Sequence, residues 1–149
     1  LTTGGAELVR AFYMNEAALI LPDGAADRST TRVILATPSG AKATFIVERL
    51  ELEPGQTLRE AFVSYARDLE RRLRGFTALF ERDTSLDGAP ALEIGVRWRN
   101  QAGDPMYTRQ AHLRLETWTI LAIEGPSQAR EEIDGIFDPI LASLRLRND

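Results

Sequence analysis

Few side chains in this chain can do chemistry, and their spacing excludes more reactions than it suggests. His112 is the only histidine and there is no cysteine. Thiolate nucleophiles, thiolate metal sites and multi-histidine metal sites are therefore closed to a single copy of the chain. His112 lies in a strand-like stretch and reads as a rim or exposed histidine rather than a proton carrier. Asp23, Asp27, Asp83, Asp87 and Asp104 are scattered rather than paired, and turn chemistry accounts for such carboxylates better than acid–base catalysis. The glycines do not gather between a strand and a helix in the spacing that cradles phosphate. The chain is expected to be no enzyme and to hold no cofactor or metal.

Binding chemistry remains, and it centres on Gln110 in the stretch Pro105–Leu115. Side chains alternate between the two faces of a strand, so Tyr107, Ala111, Leu113 and Leu115 form a row that needs a core. Met106, Thr108 and Gln110 form a second row. On a face shared with Ile34, Ile46 and Gly95, the Gln110 amide would offer both a donor and an acceptor inside an apolar groove, orienting a guest while its aliphatic neighbours supply contact area. Arg109 should point the other way and meet a carboxylate or carbonyl at the edge of the core. The unbroken apolar runs Val33-Ile34-Leu35 and Phe45-Ile46-Val47 carry the same message, since a sheet with one wet side would alternate. Something apolar should cover the second face.

The elements that must hold this face follow from local signals. Glu16–Leu21 reads as a strand stopped by Pro22-Asp23-Gly24, and Thr31–Thr37 and Ala43–Arg49 as a hairpin turned at Pro38-Ser39-Gly40. Thr57 and Glu60 form a capping box that opens a helix running to about Leu73, with Leu58, Phe62, Tyr65, Leu69 and Leu73 on one stripe and Gly75 as its stop. Thr77–Asp83 and Ala89–Arg99 flank the turn Leu86-Asp87-Gly88; in the second, Leu92, Ile94, Val96 and Trp98 alternate with Ala91, Glu93, Gly95 and Arg97. Trp118–Glu124 is another strand. Ser127 should cap a last helix carrying Ile133, Ile136, Phe137, Ile140, Leu141 and Leu144, with Pro139 bending or ending it. The order predicts an α+β domain: a twisted, mostly antiparallel sheet with helices packed on one face and a concave apolar groove on the other.

Composition agrees with one ordinary globular domain. A hydrophobic fraction of 44% and a charged fraction of 27% exclude a disordered chain, and no apolar run reaches the ~20 residues that span a bilayer. A net charge of −4 disfavours a nucleic-acid partner. The lack of cysteine suits a reducing compartment. Residues 1–11, with Thr2-Thr3-Gly4-Gly5, lack the order of a signal segment and are expected to be a leader or remnant outside a domain over 12–149.

Phe12-Tyr13-Met14-Asn15-Glu16-Ala17-Ala18-Leu19-Ile20-Leu21-Pro22, then Asp27, Phe45-Ile46-Val47-Glu48-Arg49, Gly75-Phe76, Asp87-Gly88-Ala89-Pro90-Ala91, Val96-Arg97-Trp98 and Arg109-Gln110-Ala111 together resemble the Eag-type adaptor chaperones of type VI secretion effectors, a branch of the DcrB-like family. The resemblance runs from about Phe12 to Leu144. It implies a DcrB/Mog1/PsbP-like fold and a cytoplasmic homodimer that shields the N-terminal transmembrane helices of a PAAR- or Rhs-type effector without inserting into a membrane itself. Ile46, Leu73, Met106 and Gln110 match the family's groove positions; Thr108 and Ile34 join them by strand alternation. Thr30 and Arg32 stand where the family commonly carries aliphatic residues, and Ala25 where an aromatic often follows the turn. The other reading is a cell-envelope DcrB-like protein, or a PsbP- or Mog1-like accessory protein, that binds a folded partner.

Overall fold

A computed structural model describes residues 9–13, 17–22 and 31–147. In chain order the elements are β1 (Val9–Tyr13), β2 (Ala17–Pro22), β3 (Thr31–Ala36), β4 (Lys42–Leu50), α1 (Leu58–Arg72), β5 (Arg74–Leu86), β6 (Ala89–Arg99), β7 (Pro105–Arg114), β8 (Trp118–Pro126), α2 (Arg130–Ala142) and β9 (Arg145–Leu146). Six strands pair antiparallel in the order β3-β4-β8-β7-β6-β5, and β1, β2 and β9 form a small second sheet. The α+β class and antiparallel sheet are those expected. Val9–Ala11 differ from expectation: they lie within β1, paired with β2, not outside the fold. The expected turn at Asp23-Gly24 and the positions Thr30 and Ala25 lie outside the described residues.

The two helices take opposite faces of the large sheet, which corrects the expectation of helices on one face only. Ile133, Phe137, Ile140 and Leu141 of α2 join Phe45, Val47, Tyr107, Leu113, Leu121 and Ile123 in one core. Ala61 and Phe62 of α1 pack on Trp118, Ile120, Ala122, Leu92, Ile94 and Val96 on the other side. The apolar run Ile120–Ile123 follows directly, because neighbouring strand residues face opposite ways and both directions meet a helix.

Local chemistry sets the ends of these elements. The Thr57 side chain accepts from the Glu60 amide, and Glu60 accepts from the Thr57 amide, closing the expected box at the start of α1. Gly75 is not the helix stop. Leu73 caps α1 in an extended conformation, and Gly75, at φ 61°, sits in β5 where the register with β6 shifts. Ser127 does not cap α2 either: Ser127–Ala129 form a 3₁₀ turn without a side-chain cap, and α2 continues through Pro139. Among the described residues no helix is long and apolar enough to cross a membrane.

Candidate functional site

The pleat of β7 sends Tyr107, Arg109, Ala111 and Leu113 toward α2 and Thr108, Gln110 and His112 toward α1. Cross-strand register then builds a row across the sheet. Gln110 stands beside Ile94 and Ala122, Ala122 beside Ile46, and Ile46 beside Arg32. α1 covers the Ile94 end of this row. Toward β3 an open trough of about 310 Å³ remains, walled by Tyr65, Leu69 and Arg72 of α1 with its cap Leu73, and floored by Ile46, Thr108, Gln110 and Ala122. A second hollow of about 610 Å³, containing Thr44 and Met106, adjoins it at the shared residue Glu124. Ile34 pairs with Thr44 and is 67% exposed. Ile46, Leu73, Thr108 and Gln110 thus line one hollow, Met106 lines the next, and Ile34 lies on the adjoining edge strand.

The trough is less apolar than expected. Arg32, Glu48, Arg72 and Glu124 surround it, and Arg32 occupies the position already marked as polar against the family pattern. Thr108 Oγ1 accepts from Trp98 Nε1 at 2.8 Å and lies 3.4 Å from Glu124 Oε2. Gly95 does not belong to this face. It pairs with Arg109, and its missing side chain is replaced by the Phe80 ring, which would stand 2.1 Å from an added Cβ.

His112 is fully buried rather than on the rim. Phe62 and Tyr65 meet its ring edge-on, with centroids 4.9 and 5.0 Å away, and burial lowers its pKa to about 3. Trp118 Nε1 donates to Nδ1 at 3.1 Å, and Nε2 lies 2.8 Å from Gln110 Oε1. Gln110 Nε2 in turn reaches the Tyr65 hydroxyl at 3.4 Å. The amide expected to stand open in a groove is therefore 5% exposed, with its carbonyl already engaged from below. Burial, with Glu48 adding to it, raises the Tyr65 phenol above its ordinary value, while the Gln110 bond acts against both.

On the other face Arg109 meets the carboxylates anticipated for it: Glu93 at 2.9 Å, Asp138 at 2.7 Å and Asp134 at 3.4 Å. Tyr107 donates to Asp134 at 2.8 Å, so this cluster ties α2 to the sheet and leaves the opposite face to the trough. Tyr65, Leu69, Trp98, Ala122 and Glu124 are trough residues that sequence reading did not assign to the groove. Trp98 had a usable signal, since it shares parity with Ile94 and Val96. Glu124 and Ala122 had none, because β8 reaches its partners only through long-range pairing.

The sequence pattern of the DcrB family matches residues 16–132. No curated protein sequence matches the chain. Among solved structures, protein PA94 of Pseudomonas aeruginosa superposes with a TM-score of 0.74 at 19% identity, covering 95% of this chain and 99% of its own. The Ran-binding protein Mog1p of Saccharomyces cerevisiae gives 0.63 at 16% identity over 95% and 96%. PsbP of Synechocystis sp. PCC 6803 gives 0.54 at 10% identity over 99% and 97%. At these identities the likeness is one of fold.

Proposed function

The chain belongs to the DcrB family, and from that premise we propose that it is an accessory binding protein of a particular kind: a cytoplasmic adaptor chaperone that shields the N-terminal transmembrane helices of a PAAR- or Rhs-type type VI secretion effector. The role is one of binding rather than catalysis. The observation that carries it is the uncovered part of the α1 face. Val33 and Leu35 are buried beneath the α2 side, yet Ile34 between them is 67% exposed and α1 stops short of it, with the trough in between. An apolar residue left open beside a hollow of mixed aliphatic and polar lining suits a guest that is itself apolar.

The energetics permit such a guest. A membrane-spanning helix in water exposes apolar surface that would otherwise drive aggregation. Covering ~800 Å² at ~25 cal/mol per Å² gives a gross ~20 kcal/mol, from which association and ordering take a large share. The remainder is compatible with tight yet reversible holding. The reading includes a homodimer, which light scattering at micromolar concentration tests directly.

Co-expression with an effector fragment containing the N-terminal transmembrane helices is the deciding experiment. The fragment is expected in the soluble fraction only alongside this protein, and Ile34→Asp, a change at an exposed site, is expected to lose it while the urea midpoint stays unchanged. A fragment that is equally soluble alone, or retained undiminished by Ile34→Asp, refutes the role. The rim of Arg32, Arg72, Glu48 and Glu124 favours a second reading, an accessory protein for a folded partner with a polar surface. Under that reading charge reversal at Arg32 and Arg72 weakens binding and Ile34→Asp does not.

A further inference from the structure

A carboxylate stands where the two hollows meet. Ile120 and Ala122 of β8 face α1, and the pleat carries Glu124 to the same side, where it lines both the trough and the 610 Å³ hollow. Thr44 and Thr108 flank it on the neighbouring strands. Thr108 Oγ1 accepts from Trp98 Nε1 at 2.8 Å, which leaves its own proton to point at Glu124 Oε2, but across a long 3.4 Å. The cations that border the hollows do not neutralise the carboxylate. Arg72 is held by Asp68 at 2.7 Å, and neither Arg32 nor Lys42 forms an ion pair with Glu124 among the described residues. Water solvates the group while the site is open. A guest laid across both hollows expels that water, and a guest made only of hydrocarbon would leave an ionised carboxylate covered with one weak hydrogen bond, an outcome that costs far more than an exposed ion pair gains.

We propose that Glu124 is a specificity-determining residue that pairs with a lysine or arginine of the guest, so that the site selects an apolar segment interrupted by one basic side chain. The hydrocarbon stem of that side chain lies along Ala122 and Ile46 on the trough side or Met106 on the other, and its charged head meets the carboxylate. The inference deepens the shielding role and rests on it.

The test uses two synthetic helices of about 20 leucine and alanine residues, identical except for lysine or norleucine at the centre. Both are blocked at their ends and carry uncharged oligoethylene-glycol tags, so that no other charge competes for Glu124. The intact protein is expected to bind the lysine peptide about tenfold more tightly. Glu124→Gln, which keeps the shape of the side chain and removes its charge, is expected to abolish the preference by strengthening norleucine binding as well as weakening lysine binding. Glu124→Lys is expected to turn the preference toward a third peptide with glutamate at the centre. Equal binding of the lysine and norleucine peptides by the unaltered protein overturns the proposal and leaves the shielding role standing, as does a lysine preference that survives Glu124→Gln. Binding of none of the peptides overturns the shielding role itself.

Discussion

Lowering the pH from 7 to 5 is expected to destabilise the fold through a single buried ring. His112 has no exposed surface, and burial lowers its pKa from 6.5 to about 3. Below pH 6.5 the unfolded chain takes up a proton that the folded chain refuses. Stability from this group is therefore complete above pH 6.5 and erodes as the pH falls toward 3. By linkage the unfolded state gains about 2 kcal/mol at pH 5, on the order of 5 kcal/mol near pH 3. Urea unfolding of the wild type and His112→Phe at pH 7 and 5 measures it. The variant loses two hydrogen bonds and starts less stable, but its loss between the two pH values is expected to be smaller by about 2 kcal/mol. Glu60, held down by Thr57, Asp68 by Arg72, and Glu132 by Thr37 and Ser39, titrate in both proteins and cancel in the difference. Equal pH dependence of the two proteins, or an imidazole signal titrating near 6.5 in the folded state, refutes the reasoning.

Other perturbations probe the frame around the site. Arg109→Ala leaves the buried Glu93 carboxylate with only the half-exposed Arg82 at 3.4 Å in place of two cations, and is expected to cost about 3 kcal/mol in urea unfolding. Gly125→Ala places a Cβ 2.9 Å from the Lys42 carbonyl oxygen and 2.8 Å from Ile133 Cδ1. Because one of these atoms is backbone, a loss of about 1–3 kcal/mol is expected, read as a lower Tm. Thr57→Ala opens the capping box of α1 and is expected to cost about 1 kcal/mol, with faster hydrogen exchange in the first turn of that helix.

Much of this molecule is written locally. The hairpin at Pro38-Ser39-Gly40, the box at Thr57 and Glu60, the alternation of Leu92 to Trp98 and the two rows of β7 depend on turn geometry and on periods of 2 and 3.6 residues, which a linear chain displays. So does the sending of Arg109 away from Gln110. What periodicity cannot say is which helix covers which face, or which strand lies beside which. β4 meets β8 across some seventy intervening residues of helix and sheet, and only that pairing puts Ala122 and Glu124 into the trough. The placement of α1 over the Gln110 face turned an expected rim histidine into a buried one and engaged an amide expected to stand open. Gly95 makes the same point: its face was settled by register with Arg109, and the space it leaves is filled by Phe80 from a neighbouring strand. Element type is a short-range property of the chain, whereas the environment of each side chain is set by the partners that folding brings to it.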